Sequence, residues 1–472
     1  MKKNVCFISI FDLTKVQYEQ STLIQARGHN VYWITTDKKW TKYLLDQAVT
    51  PSDVLELVFR EDEFLSQDLK SKVIEEIVEA ERNNERTFNM ALIADRFVIS
   101  NNNPNINDLL CLYFFKIKSF LTDKKINVVF AEPTNTNEMV AAIICKQLKI
   151  PFLYPQHLRL PSDRFFFELG IASGRMISSG AENTELSGAD FLFSFKKKND
   201  HPSYFHLNNR KSIKISTVAK KIKSRFTGFF VRHDNLTHHR LVDRVSIQFS
   251  RVINSIYINY FLKHDDLSSV NGDIAFFGLH VQPEASIDVI SPYFSDQLKL
   301  IKDIRRALPI NVTLVVKEHP NFLGLKSIGF FQQLKKIPNV SLVHPKTSSF
   351  EIYKKSKIVL TVSGTSAYEA AMLGIPSIVF AKMFFGKFPL VNYCSNISEL
   401  KDILQKNLAS VKSDEGLNAA VMDEILSKSY AGYWTDPLSD PLVMSEENLN
   451  QLSIGFIDVI ENALDKIQKD EV

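Results

Sequence analysis

Short runs of β-branched and aromatic residues recur along this chain, and each is followed by a polar turn and a stretch with helical spacing. NVCFISI (4–10) precedes the helix-like YEQSTLIQARGH, with Gly28 near its exit, and then NVYWITT. INVVFA (126–131) ends at Glu132 and Pro133, and TNEMVAAIICKQLK and PFLYP repeat the strand, helix, strand order. The pattern restarts in the second half. DIAFFGLH (273–280), NVTLVVKEHP (311–320), NVSLVHP (339–345), KIVLTVSG (357–364) and PSIVF (376–380) read as strands and their exits. Consecutive βαβ units bury both faces of a parallel sheet, so the expected class is α/β and doubly wound. At 472 residues the chain exceeds what one core supports, which predicts two such domains of roughly 150 to 200 residues each.

The expected organisation is an N-terminal Rossmann-like domain over 1–195, a basic helical linker or insertion over 196–270, a second Rossmann-like domain over 271–410, and helices over 411–472. Residues 64–122 should be mostly helical, with a break at NNNPN (101–105). Near the C-terminus, NQLSIGFIDVIENALDKI places Ile454, Ile457, Ile460 and Leu464 on one predicted helix face.

Net charge is only +4, too small on a chain this long to indicate a nucleic-acid partner, but it is unevenly placed. From Lys196 to Arg251 there are fourteen Lys or Arg against the three acids Asp200, Asp234 and Asp243. Such a stretch is either a solvated connection between domains or a contact for an anionic surface, in which Phe226, Phe229 and Phe230 would add apolar anchors. The apolar run at the N-terminus is cut short by Asp12, and no stretch approaches the roughly 20 apolar residues of a membrane span. Cys6, Cys111, Cys145 and Cys394 show no metal-ligand spacing. Together these features predict a cytoplasmic protein without structural zinc.

Ligands of parallel α/β sheets sit beyond the carboxyl ends of the strands. Three polar exits in the second half qualify. LHVQPEAS carries His280, Gln282 and Glu284; VVKEHP carries Lys317, Glu318 and His319; and TVSGTSAYEA carries Ser363, Gly364, Thr365, Ser366 and Glu369. In the third, the chain turns through Gly364 and a hydroxyl caps a helix expected to begin at about Ser366. Its N-terminal N–H groups suit a phosphate, the dipole alone contributing roughly 0.3 to 2 kcal/mol. Glu369, about one turn in, could accept hydrogen bonds from ribose hydroxyls, while ordinary capping with an exposed acid is the plainer account. Lys317 and His319 add two possible cations where a diphosphate would lie. Read jointly, the three exits predict a nucleotide site.

The segments LHVQPEASIDVISPYFSDQLKLI, VVKEHPNFLGL and IVLTVSGTSAYEAAMLGIPSIVF resemble three blocks of the capsule polysaccharide biosynthesis family, over about residues 272–395. The His-Pro pair is also similar to that of bacterial polysialyltransferases and polyol-phosphate polymerases. The resemblance implies a bacterial glycosyltransferase of GT-B type, with two Rossmann-like domains facing a cleft. It also implies that His319 contacts the donor phosphates, helped by Ser363 and Thr365, while Glu369 holds the ribose. The donor would be a nucleotide sugar, a substrate and not a cofactor, and the acceptor an oligosaccharide or lipid-linked glycan.

Inverting transfer needs a base for the acceptor hydroxyl, expected from the N-terminal domain across the cleft. Glu132, at a central strand exit, leads; His157 in LYPQHLRLP and Asp12 are alternatives, and Arg159 and Arg164 either meet an acidic acceptor or serve the surface. No Asp-x-Asp occurs, and EDE at 61–63 lies in a charged helical region, which disfavours a metal-chelating enzyme. The absence of GxxxxGK[ST], of GxGxxG after the first strand and of GxSxG leaves ATPase, dehydrogenase and hydrolase readings without support. A sugar-nucleotide 2-epimerase and a non-catalytic polysaccharide-binding or assembly subunit remain as alternatives.

Overall fold

The computed structural model describes residues 2–58, 63–101, 105–180, 186–198, 241–320, 323–409 and 413–470. Most of the basic stretch, including Phe226, Phe229 and Phe230, therefore lies outside the described residues, as do Asn102, Asn103 and Pro104 of the predicted break and the first two residues of EDE.

The first sheet is built from β1 (Asn4–Ile8), β2 (Asn30–Thr35), β3 (Val54–Glu56), β4 (Val128–Phe130), β5 (Phe152–His157), β6 (Arg164–Leu169) and β7 (Met176–Ile177). The second holds β8 (Asp273–Gly278), β9 (Val312–Lys317), β10 (Val340–Val343), β11 (Ser356–Thr361), β12 (Ser377–Val379) and β13 (Val391–Tyr393), and β14 (Tyr430–Ala431) returns to the first. Strand order is β14-β6-β5-β4-β1-β2-β3 in one sheet and β10-β9-β8-β11-β12-β13 in the other. All pairings of the second sheet are parallel. These are two Rossmann-like, doubly wound domains, as the alternation predicts.

The local reason is visible in β1. Successive side chains of a strand point to opposite faces. Val5 and Phe7 enter one core, and Cys6 and Ile8 enter another formed with the helices Gln67–Arg82 and Ile106–Asp123. Both faces are apolar, so the strand has to be central. β8 repeats the arrangement, with Ala275 and Phe277 on one side and Ile274 and Phe276 on the other.

Three features depart from the sequence reading. The far edge of the first sheet is antiparallel, because β6 pairs antiparallel with β5, β7 and β14. The helix read from Ser366 begins at Thr365, and SPYFSDQLKLIKDIRRAL forms a short 3₁₀ turn before a helix at Gln297–Ala307. Near the C-terminus the buried face of Glu446–Asp458 and its continuation is Leu452, Phe456, Val459, Ile460, Ala463 and Leu464, while Ile454 is exposed. The π-helical turn Val459–Ala463 inserts a residue into the helical phase, so a straight 3.6-residue period misplaces the upstream half. This C-terminal helix packs on β1, β4 and β6 of the first domain, through Phe456 against Phe7, Phe130, Phe165 and Phe167.

The domains meet near the carboxyl ends of their strands. Tyr368 Oη donates to the Leu160 carbonyl at 2.8 Å, and Arg86 donates to the Val289 and Ile290 carbonyls at 2.6 and 3.2 Å. Leu158, Leu160 and Phe166 of the first domain share an apolar cluster with Phe350, Tyr368 and Phe385 of the second.

Candidate functional site

On the second domain, the exits of β8, β9 and β11 converge. His280 follows β8; its Nε2 accepts from the Val362 N–H at 3.1 Å and from Thr361 Oγ1 at 2.7 Å, so the ring proton sits on Nδ1. Thr361 Oγ1 in turn accepts from the Gly364 N–H at 3.1 Å. This chain explains Gly364, whose φ of −80° any residue could adopt. A Cβ there would lie 2.6 Å from Thr361 Oγ1 and 3.2 Å from His280 Cε1, so the turn is glycine for space. The helix Thr365–Met372 starts directly after it; the Ala367 N–H reaches back to the Gly364 carbonyl at 3.3 Å, and the N–H groups of Thr365 and Ser366 precede the first intrahelical acceptor.

Ser363 Oγ donates to the Ser286 carbonyl and so joins the β11 exit to the β8 loop. Thr365 and Tyr353 hydrogen-bond the Glu369 carboxyl, which burial pushes up to about 7 against these bonds and the nearby Lys317 ammonium. Ser366 is half-buried on the first turn. Gln282 donates to Asp288 Oδ1 and the Ser295 carbonyl at 2.7 and 3.1 Å and accepts from Gln297 Nε2, so it shapes its loop.

The two expected cations differ from the sequence reading. Lys317 Nζ is held by the Thr347 carbonyl at 3.0 Å and by Ser349 Oγ, and burial lowers its ammonium to about 8. His319 is neutral: burial, then the charges of Lys317 and Lys326, pull its imidazolium down to about 4. It can serve a phosphate as an N–H donor, not as a standing charge. The second cation is one the sequence did not announce. Lys326 is buried, pairs with Glu318 Oε1 at 3.3 Å and donates to the His280 carbonyl at 2.5 Å, tying the β8 and β9 exits together. No spacing or composition marks a lone lysine in GLKSIGF.

Across the cleft, Glu132 follows β4 half-buried. Burial lifts its carboxyl to about 7; Arg159 opposes this, while Asp436 and Glu284 add to it. Glu284 belongs to the second domain, and its carboxyl is also raised by burial and lowered by Ser286 Oγ, Arg159 and Arg96. Arg159 thus acts on acids of both domains. It adopts a φ of +74°, a left-handed conformation uncommon for a residue with a Cβ. Asp436, from the turn after β14, was not foreseen; TDPLSDP reads only as a turn.

His157, at the end of β5, donates from Nε2 to the Ser162 carbonyl at 2.6 Å and stands edge-on to Tyr433. Burial and Arg159 pull its pKa to about 4, and Nδ1 is buried with no hydrogen-bond partner among the described residues. Asp12 is paired with Lys15 at 2.9 Å. Arg164 serves neither surface nor acceptor: it is buried, with Nε on Ser429 Oγ at 2.7 Å and a terminal nitrogen on the Ser429 and Leu426 carbonyls.

No family model and no curated protein matches the sequence. Among solved structures, the chain is similar to KpsC, a β-Kdo 2,7 transferase from Thermosulfurimonas dismutans, at 12% identity over 74% of this chain and 90% of that one, with a TM-score of 0.34. It is similar to the UDP-GlcNAc 2-epimerase of Methanocaldococcus jannaschii at 12% identity over 90% and 98%, TM-score 0.27. A glycosyltransferase from Rickettsia africae matches at 9% identity over 99% of both chains, TM-score 0.28. At this level of likeness, function has to be read from the residues of the cleft.

Proposed function

We propose that the cleft is the active site of a metal-independent glycosyltransferase, which moves a sugar from a CMP- or UDP-linked donor to a growing bacterial capsule or other surface polysaccharide. The observation that carries this is the pairing of two chemistries across one cleft. One side offers a helix N-terminus at Gly364, Thr365 and Ser366 beside His319 and two buried lysines. The other offers a carboxyl whose pKa of about 7 is matched to deprotonating a hydroxyl near neutral pH.

In this reading the nucleotide phosphates lie on the N–H groups of Thr365 and Ser366, with the His319 ring donating and Lys317 and Lys326 supplying positive potential. Glu369 exchanges its internal hydrogen bonds for those of the ribose. Glu132 takes the proton of the acceptor hydroxyl as that oxygen attacks the anomeric carbon, and the bond to the donor phosphate breaks with its electrons leaving on the phosphate. Glu132 is preferred to His157, whose weak basicity and buried Nδ1 suit a structural role. The enzyme works in the cytoplasm or on the cytoplasmic face of the inner membrane, which residues 196–251 would contact, and its acceptor is an oligosaccharide or a lipid-linked glycan.

A sugar-nucleotide 2-epimerase would use the same pocket, and the observation that favours it is a second carboxyl at the β8 exit, Glu284, which accepts from Ser286 Oγ at 2.8 Å. The test is a thermal-shift panel of CMP, CDP, UDP, GDP and their sugars. A ligand at about a hundred times its Kd adds roughly 2.7 kcal/mol. His319→Ala should lose the response, while Glu132→Gln should keep it and lose turnover. If no nucleotide stabilises the protein, the reading fails; conversion of the sugar nucleotide without acceptor replaces it with the epimerase. Nucleotide-independent glycan binding that survives His319→Ala replaces it with a non-catalytic polysaccharide-binding or assembly subunit.

A further inference from the structure

All polar atoms of His280 but one are spent inside the second domain. Its N–H donates to Gln297 Oε1 at 2.8 Å, and its carbonyl accepts from Gln297 Nε2 at 3.2 Å and from Lys326 Nζ at 2.5 Å. On the ring, Nε2 accepts from the Val362 N–H at 3.1 Å and from Thr361 Oγ1 at 2.7 Å. The helix Gln297–Ala307, Lys326 and the end of β11 thus hold one imidazole in one orientation. Only Nδ1 has no hydrogen-bond partner among the described residues, and on this half-buried side chain it is not closed off from the cleft.

The same contacts fix the ring's protons. A backbone N–H can only donate, so the nitrogen facing Val362 has to be the unprotonated one, and the ring proton stays on Nδ1. Protonating Nε2 as well would set one N–H against another. Neutrality therefore follows from the geometry, and it agrees with burial, Lys326 and His319 pulling the imidazolium down to about 3. Giving up the Nδ1 proton would leave an imidazolate, so the ring donates a hydrogen bond and keeps its proton.

Where the donor stands decides what it meets. A Cβ on Gly364 would come within 3.2 Å of His280 Cε1, the carbon bonded to Nδ1, so this edge of the ring borders the turn from which the helix Thr365–Met372 starts. Its titratable neighbours are Lys326 and His319, and neither is an acid that would call for a charged ring. We propose that His280 binds an oxygen of a phosphate group through Nδ1–H, as a neutral donor beside the N–H groups of Thr365 and Ser366. On the transferase reading, on which this next step rests, that oxygen belongs to the phosphate that leaves with the nucleotide. The ring then stabilises the charge growing there by a hydrogen bond, without passing a proton to it.

The test is NMR of the full chain with nitrogen-15 in its histidines, His280 being assigned through its contact with the Val362 N–H. We expect Nδ1 protonated and Nε2 bare from about pH 6 to about pH 8, and the Hδ1 resonance moved downfield on saturation with the nucleotide that most stabilises the protein. His280→Gln keeps an acceptor for Val362 and offers no donor in place of Nδ1. It should keep its Tm and bind that nucleotide about tenfold or more weakly, by the same factor at both ends of that pH range. A protonated Nε2, an unmoved resonance, or unweakened binding by His280→Gln overturns the proposal and leaves the transferase reading standing. A loss that grows as pH falls would make the residue a cation and overturn it equally. If His280→Gln does not fold, the spectrum of the parent decides alone. If no nucleotide stabilises the protein, the transferase reading fails and pyrophosphate becomes the probe: the same shift keeps the phosphate site, and no shift overturns it.

Discussion

Glu132 and Glu138 stand at the two ends of one turn after β4, and burial raises both, to about 7 and about 8. Their consequences differ because their surroundings differ. Glu132 faces the cleft with Arg159 opposing its protonation, so as a base it works in its ionised form and turnover should fall as pH drops through about 7. Arg159→Gln removes the charge that favours the carboxylate, and the acid limb of the pH–kcat profile should move up by about one unit. Glu138 is buried in a capping box, accepting from the Asn135 N–H at 2.7 Å and Asn137 Nδ2 at 3.1 Å. Its folded pKa lies above the unfolded one, so its contribution to stability is fully present below about 4.5 and is lost as pH rises through about 8. Glu138→Gln should therefore gain on the parent between pH 5 and 8, by on the order of a few kcal/mol, read as a growing difference in Tm.

At the scale of elements, the exit of β11 decides what the second domain can hold. Its backbone turn is compact because Thr361, His280 and Gly364 share a hydrogen-bonded chain with no room for a methyl group. Gly364→Ala should cost roughly 1 to 3 kcal/mol and displace the N–H groups of the helix behind it. The expected outcome is a lower Tm together with loss of nucleotide-induced stabilisation, whereas Ser366→Ala, on a half-buried side chain, should leave the Tm unchanged.

The whole molecule is held by segments that leave one domain and finish in the other. β14 and the C-terminal helix come from beyond the second sheet yet complete the core of the first. Phe456, fully buried among four phenylalanines, should on change to alanine cost about 3 to 5 kcal/mol and unfold the first domain, measured by denaturant titration of the buried Trp33. Arg86→Ala leaves the Val289 and Ile290 carbonyls without their donor at the domain contact. The cleft should then open, seen as a larger radius of gyration in small-angle scattering.

What could be read from residues alone was whatever local physics encodes. Apolar runs such as NVCFISI and DIAFFGLH are apolar on both faces, and only a central parallel strand satisfies that. Gly364 and the hydroxyls after it mark a turn and a helix start within a few residues, so that exit was legible almost to the residue. The rest depends on partners distant in the chain. Ile454 was placed inward because a straight helical period takes no account of the π turn at Val459–Ala463. His319 and Lys317 looked like free cations, but burial lowers the pKa of both, and at His319 the charges of Lys317 and Lys326 lower it further. Lys326, Asp436 and Arg164 carry no local signal at all; their positions follow from which strand exits and chain segments the fold brings together. Periodicity and turn chemistry act between neighbours in sequence and so are written there, whereas desolvation and charge act through space, and only the tertiary structure sets those distances.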